Sequence, residues 1–340
     1  MMSGSASVVR FAHANAARMI DYWLGGIHYL PVDIEAAKEY EAAYGDFRGI
    51  FRVLRAYIGR AARAIRAEGI DQLLVFGAGL PTSGNVHEAV PDARVLYTDV
   101  DPINIAMGQR ILAGLPNVGY AYCDAADLTT LDRASVERVL GPIRRLGIVF
   151  VGVAAFIADD KLAATFASLH DLAPAGSLMA LDFDSEMCRR YPRIVALLEA
   201  PGLRFHMRAP EAIRPLLGPW RLTSEGITPV GAWRNHGEDA DYPPFMYGCM
   251  ARRAGDEEGC AGRPPRPDRA RRKAPAPARA PAALRPPCAP RRPRARGRSA
   301  GPSSRTAPPP RGNAGTRPAP DRPRPPDRPR SAARSARGCR

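Results

Sequence analysis

Apolar residues along this chain follow two rhythms, and the change between them falls near residue 71. Before it, Phe51, Leu54, Ile58, Ala62 and Ile65 recur at steps of three and four, the spacing of one helix face. Arg52, Arg55, Arg60, Arg63 and Arg66 lie between them and read as the solvated face of that helix. Asp33 is placed to cap an earlier helix running through Ala36, Ala37 and Tyr40. Residues 1–70 thus read as a helical extension, interrupted by the glycine pair Gly25-Gly26, a helix stop or tight loop.

After Asp71 short continuous apolar runs take over. They predict strands at 72–76, 94–98, 118–123, 147–153 and 177–183, with helical patterns at 84–90, 102–113, 133–140 and 159–172. Strands this apolar, separated by helices, imply a parallel sheet covered on both faces with right-handed crossovers. A helix at 209–217 and strands at 219–227 and 245–251 close the pattern, the two strands as an antiparallel pair at the sheet edge. Residues 71–254 therefore read as one α/β domain.

Composition changes the picture only beyond that point. Residues 255–340 hold 20 of the 35 prolines, and Leu284 is their one large apolar residue. Such a segment buries too little to offset its ordering entropy, so it reads as a disordered Arg/Pro-rich tail. It also carries a net charge of +17, against −2 for residues 1–254. The basic character therefore belongs to the tail, and nucleic acid is not indicated as a partner of the core. Two readings of the tail stay open: non-specific contact with anions, or an unselected extension. No apolar run approaches the ~18–20 residues that span a bilayer, so no membrane role is expected. Neither is a secretory signal recognisable, and the expected location is cytoplasmic. Cys123, Cys188 and Cys249 are widely spaced and read as small buried hydrophobes, with no metal site signalled.

The candidate chemistry lies in 74–101. The first strand enters Gly77-Ala78-Gly79, and the second ends on Asp99, twenty residues after Gly79. A carboxylate at that tip is suited to ribose hydroxyls, and a turn without Cβ atoms admits the polar end of a ligand. Thr82 stands where a dinucleotide fingerprint wants a third glycine, with Pro81 before it. That weighs against a nicotinamide dehydrogenase and suits a ligand with an amino-acid end, as S-adenosylmethionine has. Asp99 and Asp101 compete for the ribose role, with Asp101, before Pro102, suited to capping a helix. Asp124 reads equally as an adenine contact or a turn residue, and Phe156 as a ligand contact or a core residue.

Further motifs carry a resemblance. GLPTSGNVHE at 79–88 with YTDVDP at 97–102, RMIDYWLGG at 18–26, RAARAIRAEGIDQ at 60–72, LAPAGSL at 172–178 and EGITPVGAWR at 225–234 resemble the actinobacterial S-adenosyl methyltransferase family once described as a domain of unknown function. The resemblance implies a Rossmann-like class I methyltransferase fold, with a seven-stranded, mostly parallel sheet and an antiparallel last strand. It implies S-adenosylmethionine as cofactor, held at Gly77, Ala78, Gly79 and Leu80, at Asp99 and Val100, at Asp124 and Ala125, and beside Ala154. It also implies that the segment bearing Tyr22, Gly25 and Gly26 folds over that cofactor.

Three places depart from the family's pattern: Val75 replaces an acid before the glycine turn, Ile27-His28-Tyr29 replaces Lys-Asp-Asn, and Ala154-Ala155-Phe156 replaces Leu-His-Phe. Transfer from a sulfonium is an in-line displacement that mainly requires alignment and exclusion of water, so no catalytic residue is demanded. His28, His87, Asp159 and Asp182 are the candidate bases should the acceptor need one. The expected function is methyl transfer to a small-molecule acceptor; the alternative is a non-catalytic relative that binds the cofactor or its product.

Overall fold

In the computed structural model, which describes residues 13–199 and 203–255, the apolar runs after Asp71 assemble into a single sheet. Five strands are parallel: β1 (Gln72–Phe76), β2 (Arg94–Asp99), β3 (Val118–Tyr122), β4 (Gly147–Phe150) and β5 (Leu178–Asp184). Two short strands, β6 (Arg221–Leu222) and β7 (Thr228–Pro229), and a longer one, β8 (Met246–Arg252), complete it. The spatial order is β3-β2-β1-β4-β5-β8-β6, with β7 also paired to β8 and every pairing of β8 antiparallel. The expected fold class holds, with one correction: the single strand expected at 219–227 is two. Ser224 and Glu225 form a turn and Gly226 sits at φ +65°, so the chain leaves the β8 edge after Leu222 and returns at Thr228.

Side chains alternate across the strands and supply two cores. Leu73, Val75, Val149, Leu178 and Ala180 face one side, and Leu74, Phe76, Ile148, Phe150 and Leu181 the other. The first side is covered by α1 (Ala16–Trp23), α2 (Pro31–Tyr44) and α3 (Phe47–Ala67). Along β2 and β3 run the short α4 (Val86–Ala89), against β2, and α5 (Pro102–Ile111), against both. The second side is covered by α6 (Arg133–Leu140) and α7 (Asp159–Leu172); α8 (Pro192–Leu198) joins the first core and α9 (Pro210–Leu216) the second. The helix expected at 84–90 shrinks to one turn, because Val90 precedes Pro91 and is pushed out of the helical region.

Helix α3 anchors the sheet. Its Tyr57 hydroxyl lies 2.8 Å from Leu181 O and 2.9 Å from Cys249 O, residues paired across β5 and β8. A Cβ on Gly248 would strike the Tyr57 ring at 2.7 Å, so that close approach needs glycine. The arginine face is only partly solvated. Arg60 donates to Trp233 O at 2.8 Å and to Val230 O at 2.6 Å, and Arg55 packs under the loop preceding α4. Asp33 lies inside the first turn of α2; it accepts from the backbone N–H groups of Leu30 and Asn15 and pairs with Arg18 of α1, Nε to Oδ2 at 2.6 Å. Arg18 and Asp33 are 1% and 0% exposed, so the pair is a buried bolt between the two helices.

Cys123, Cys188 and Cys249 are buried free thiols, and burial pushes the Cys123 thiol up to about 11. Among the described residues no helix is long and apolar enough to cross a membrane. The expectation of a disordered tail lies outside the described residues.

Candidate functional site

The turn after β1 is built by its neighbours. Gly77 and Gly79 sit at φ +55° and +59°, a region that favours glycine. Ala78 N donates to Thr98 O at 3.0 Å, Gly79 N to Asp99 Oδ2 at 2.9 Å, and the Tyr120 hydroxyl to Gly79 O at 2.7 Å. Strands β2 and β3 thus hold the turn open. A Cβ on Gly77 would collide with Val153 Cγ2, and one on Gly79 would press on Ala17 at 3.1 Å.

The two aspartates divide their work. Asp101 caps α5 through Ile103 N at 2.8 Å and accepts from Asn15 Nδ2 at 2.7 Å, tying α1 to the start of α5. Asp99 accepts from Gly79 N and Asp101 N and lines the central cavity. That cavity has a volume of about 640 Å³, within the range of small-molecule sites. Its wall includes Gly77, Ala78, Gly79 and Leu80 from the turn. Asp99 and Val100 follow from the tip of β2, and Asp124 and Ala125 from the tip of β3.

Four other expected contacts are not on that wall. Ala154 is buried, and its carbonyl accepts from Arg208 Nη1 at 2.8 Å. The Tyr22 ring packs edge-on against Tyr29, with centroids 5.1 Å apart. Gly25, at φ +78°, ends α1, and Gly26 gives space to the Asp21 carboxylate, which a Cβ there would displace. Ala16, Ala17 and Ile20 of α1 border the cavity instead. A helix buries one face, and here the preceding turns carry the contact.

Of the four candidate bases, only Asp182 reaches the cavity. His87 is half-buried with Nδ1 2.8 Å from the Tyr97 hydroxyl, and burial lowers its pKa. His28 lies beside Asp21, its Nδ1 3.8 Å from Oδ1, and Asp159 pairs with Arg208 at 2.8 Å. Two cavity residues escaped the sequence reading. Arg55 donates to Asn85 Oδ1 at 2.5 Å and has its pKa lowered by burial. Asp184 stands two residues beyond Asp182 on the same strand face.

Burial pushes the Asp182 carboxyl up, while a 2.7 Å bond from Gly152 N pulls the other way. Asp184 is pushed up by burial and then by the charge of Asp182. An unfolded aspartate titrates near ~3.9, so above that pH the native state holds protons the unfolded chain has released. Stability from this pair therefore falls as pH rises through the window between the unfolded and the raised folded values. The urea midpoint of Asp182→Asn is expected to exceed that of the wild type at pH 8, the difference closing toward pH 4. A difference that does not change with pH would contradict this.

A parallel sheet with one antiparallel strand inserted between β5 and β6, a glycine turn after β1 and an acid at the tip of β2 define the class I methyltransferase architecture. The model of the S-adenosyl methyltransferase family matches residues 3–254, and the chain belongs to that family. Its cofactor is S-adenosylmethionine. A DUF574-family protein of Streptomyces avermitilis is similar at 25% identity and a TM-score of 0.60, over 71% of this chain and 97% of its own. A candidate methyltransferase of Thermobifida fusca shares the fold at 24% identity and a TM-score of 0.65, over 75% and 100%. No curated protein matches the chain.

Proposed function

We propose that the protein transfers the methyl group of S-adenosylmethionine to a small-molecule acceptor bound in the same cavity. One observation carries this reading: a single cavity is lined in sequence by Asp124, Asp99 and Gly77–Gly79, at the tips of the neighbouring strands β3, β2 and β1. A cofactor laid across the tips would meet a carboxylate at the adenine end, a second at the ribose, and Cβ-free backbone at the methionyl end. Gly77 and Gly79, both at positive φ on the cavity wall, present bare backbone there, which fits this. The bound donor supplies an electrophilic methyl group on a sulfonium.

Arg55 takes the methionyl carboxylate in this account. It is a half-buried cation on the cavity wall whose nearest hydrogen-bond partner is the neutral amide of Asn85. A charge-assisted bond to a carboxylate offsets its lost hydration. Val75, also on the wall, brings no charge where the family has an acid, so the methionyl end rests more heavily on Arg55. Residues 1–70 act as a helical extension that closes the cavity through α1 and α3, and 71–254 as the cofactor-binding domain.

Calorimetry tests both points. S-adenosylhomocysteine is expected to bind and NAD is not. Arg55→Met is expected to weaken S-adenosylhomocysteine at least about tenfold. It should leave 5′-methylthioadenosine, which lacks the carboxylate, unchanged. Equal losses for both ligands would show that Arg55 acts on the fold instead. The altered motif positions favour a second reading, binding without transfer; tight cofactor binding with no methyl acceptor in any amine, alcohol or acid library would select it.

A further inference from the structure

The cavity continues past the glycine turn. From β2 through β1 and β4 to β5 is three strand spacings, about 14 Å at about 4.8 Å each. Every tip on that path contributes to the wall. Asp182 Oδ1 accepts from Gly152 N just after β4, and the next residue, Val153, lies against Gly77. Asp182 and Asp184 thus stand beyond the methionyl end, where an acceptor has to approach.

Asp182 is 1% exposed, and its Oδ2 has no hydrogen-bond partner. A buried carboxylate oxygen left unpaired is costly unless a ligand completes it. Arg208 donates its backbone N–H to Asp184 O at 2.8 Å, but its guanidinium is engaged by Asp159 and by the carbonyls of Ala154 and Ile157. The other titratable groups bearing on the pair are Tyr57 of α3, Cys249 of β8 and Cys188, all pushed up by burial and neutral at physiological pH. No cation lies within ion-pair distance of either acid among the described residues. Around these two acids the wall is apolar, formed by Ile194, Leu198, Phe205, Phe245 and Met246.

We infer that the methyl acceptor is an amine on an apolar body, bound as its ammonium with nitrogen at Asp182 Oδ2. This rests on the cofactor reading above. The ammonium gives one proton to the Asp182 carboxylate. The freed nitrogen lone pair forms a bond to the methyl carbon as the carbon–sulfur bond breaks, and that bond's electron pair stays on sulfur. The products are a methylated ammonium and a neutral thioether, and Asp182 later returns its proton to solvent. Burial narrows the gap between the carboxyl and the amine, which makes the first step less uphill. Asp184 lines the same wall, and an ammonium beside the two acids favours their ionised forms, whereas an anionic acceptor would gain no such partner there.

The test titrates the full chain, saturated with S-adenosylhomocysteine, with benzylamine, phenethylamine, tryptamine and octylamine, each against its isosteric alcohol. At least one amine is expected to bind about tenfold or more tightly than its alcohol. Asp182→Asn should erase that preference while S-adenosylhomocysteine affinity stays within about twofold; Asp184→Asn should reduce the preference in part. No amine exceeding its alcohol, or a preference that survives in Asp182→Asn, would overturn the inference. The wild-type comparison stands whatever the stability of the variants. Failure of the wild type to bind S-adenosylhomocysteine would instead overturn the cofactor reading, and this inference with it.

Discussion

Asp99→Ala is expected to weaken S-adenosylhomocysteine binding by about 100-fold or more. A carboxylate that accepts two ribose hydroxyls makes two charge-assisted bonds, each worth roughly 1.5–3 kcal/mol. Losing both costs about 3–6 kcal/mol, and every 1.4 kcal/mol is about tenfold in affinity. The truncation has a second effect, because Asp99 also receives Gly79 N at 2.9 Å and Asp101 N at 2.9 Å. The turn that meets the methionyl end and the carboxylate that meets the ribose are therefore one hydrogen-bonded unit. Asp101→Ala is the control. It removes a cap worth about 1 kcal/mol and the link to Asn15, but takes no group from the ribose position. Calorimetry on both variants decides: a large loss in Asp99→Ala and a few-fold change in Asp101→Ala is the expected pair. Equal losses would mean that the aspartates matter through the fold alone.

Asp33→Ala is expected to produce the largest loss of stability, about 3–5 kcal/mol, because it removes one partner of a buried ion pair. Arg18 loses both contacts to the carboxylate, at 2.6 and 2.9 Å, and the backbone N–H groups of Asn15 and Leu30 lose their acceptor. In a domain of this size, that corresponds to a fall in melting temperature of roughly 10 °C. Replacing both partners, as in Arg18→Met with Asp33→Leu, should recover much of it, since a matched apolar pair leaves no uncompensated charge. Cofactor binding should weaken alongside stability, because Ala16, Ala17 and Ile20 of the same helix border the cavity. Thermal melts of the two variants check this; a single-variant loss near zero would show that the α1–α2 junction carries no weight.

The fold was legible in the sequence where local pattern and burial agree. Each parallel strand is apolar on both faces, so runs such as Leu73–Phe76 announce a covered sheet. The juxtaposition of Gly79 and Asp99 was legible too, since a strand–turn–strand unit brings them together within twenty residues. Asp182 and Asp184 gave a weaker signal. Within Leu181-Asp182-Phe183-Asp184 they alternate with apolar residues as any half-exposed strand would, and only the tertiary packing buries Asp182 and half-buries Asp184. Arg55 was misread for the same reason: helical spacing shows which residues share a face, but not that the loop at Gly84 and Asn85 will cover one of them. The glycine pair after α1 was visible as a stop, but its contact with Asp21 depends on how that carboxylate turns inward. The break between β6 and β7 follows from Gly226, whose positive φ the apolar pattern does not reveal.

A crystal structure of the chain with S-adenosylhomocysteine tests the central claim most directly. The account predicts both ribose hydroxyl oxygens within about 3.2 Å of the Asp99 carboxylate and the methionyl moiety against the backbone of Gly77–Gly79. A ligand lodged elsewhere, or a ribose held by some other group with Asp99 still committed to its protein donors alone, would contradict it.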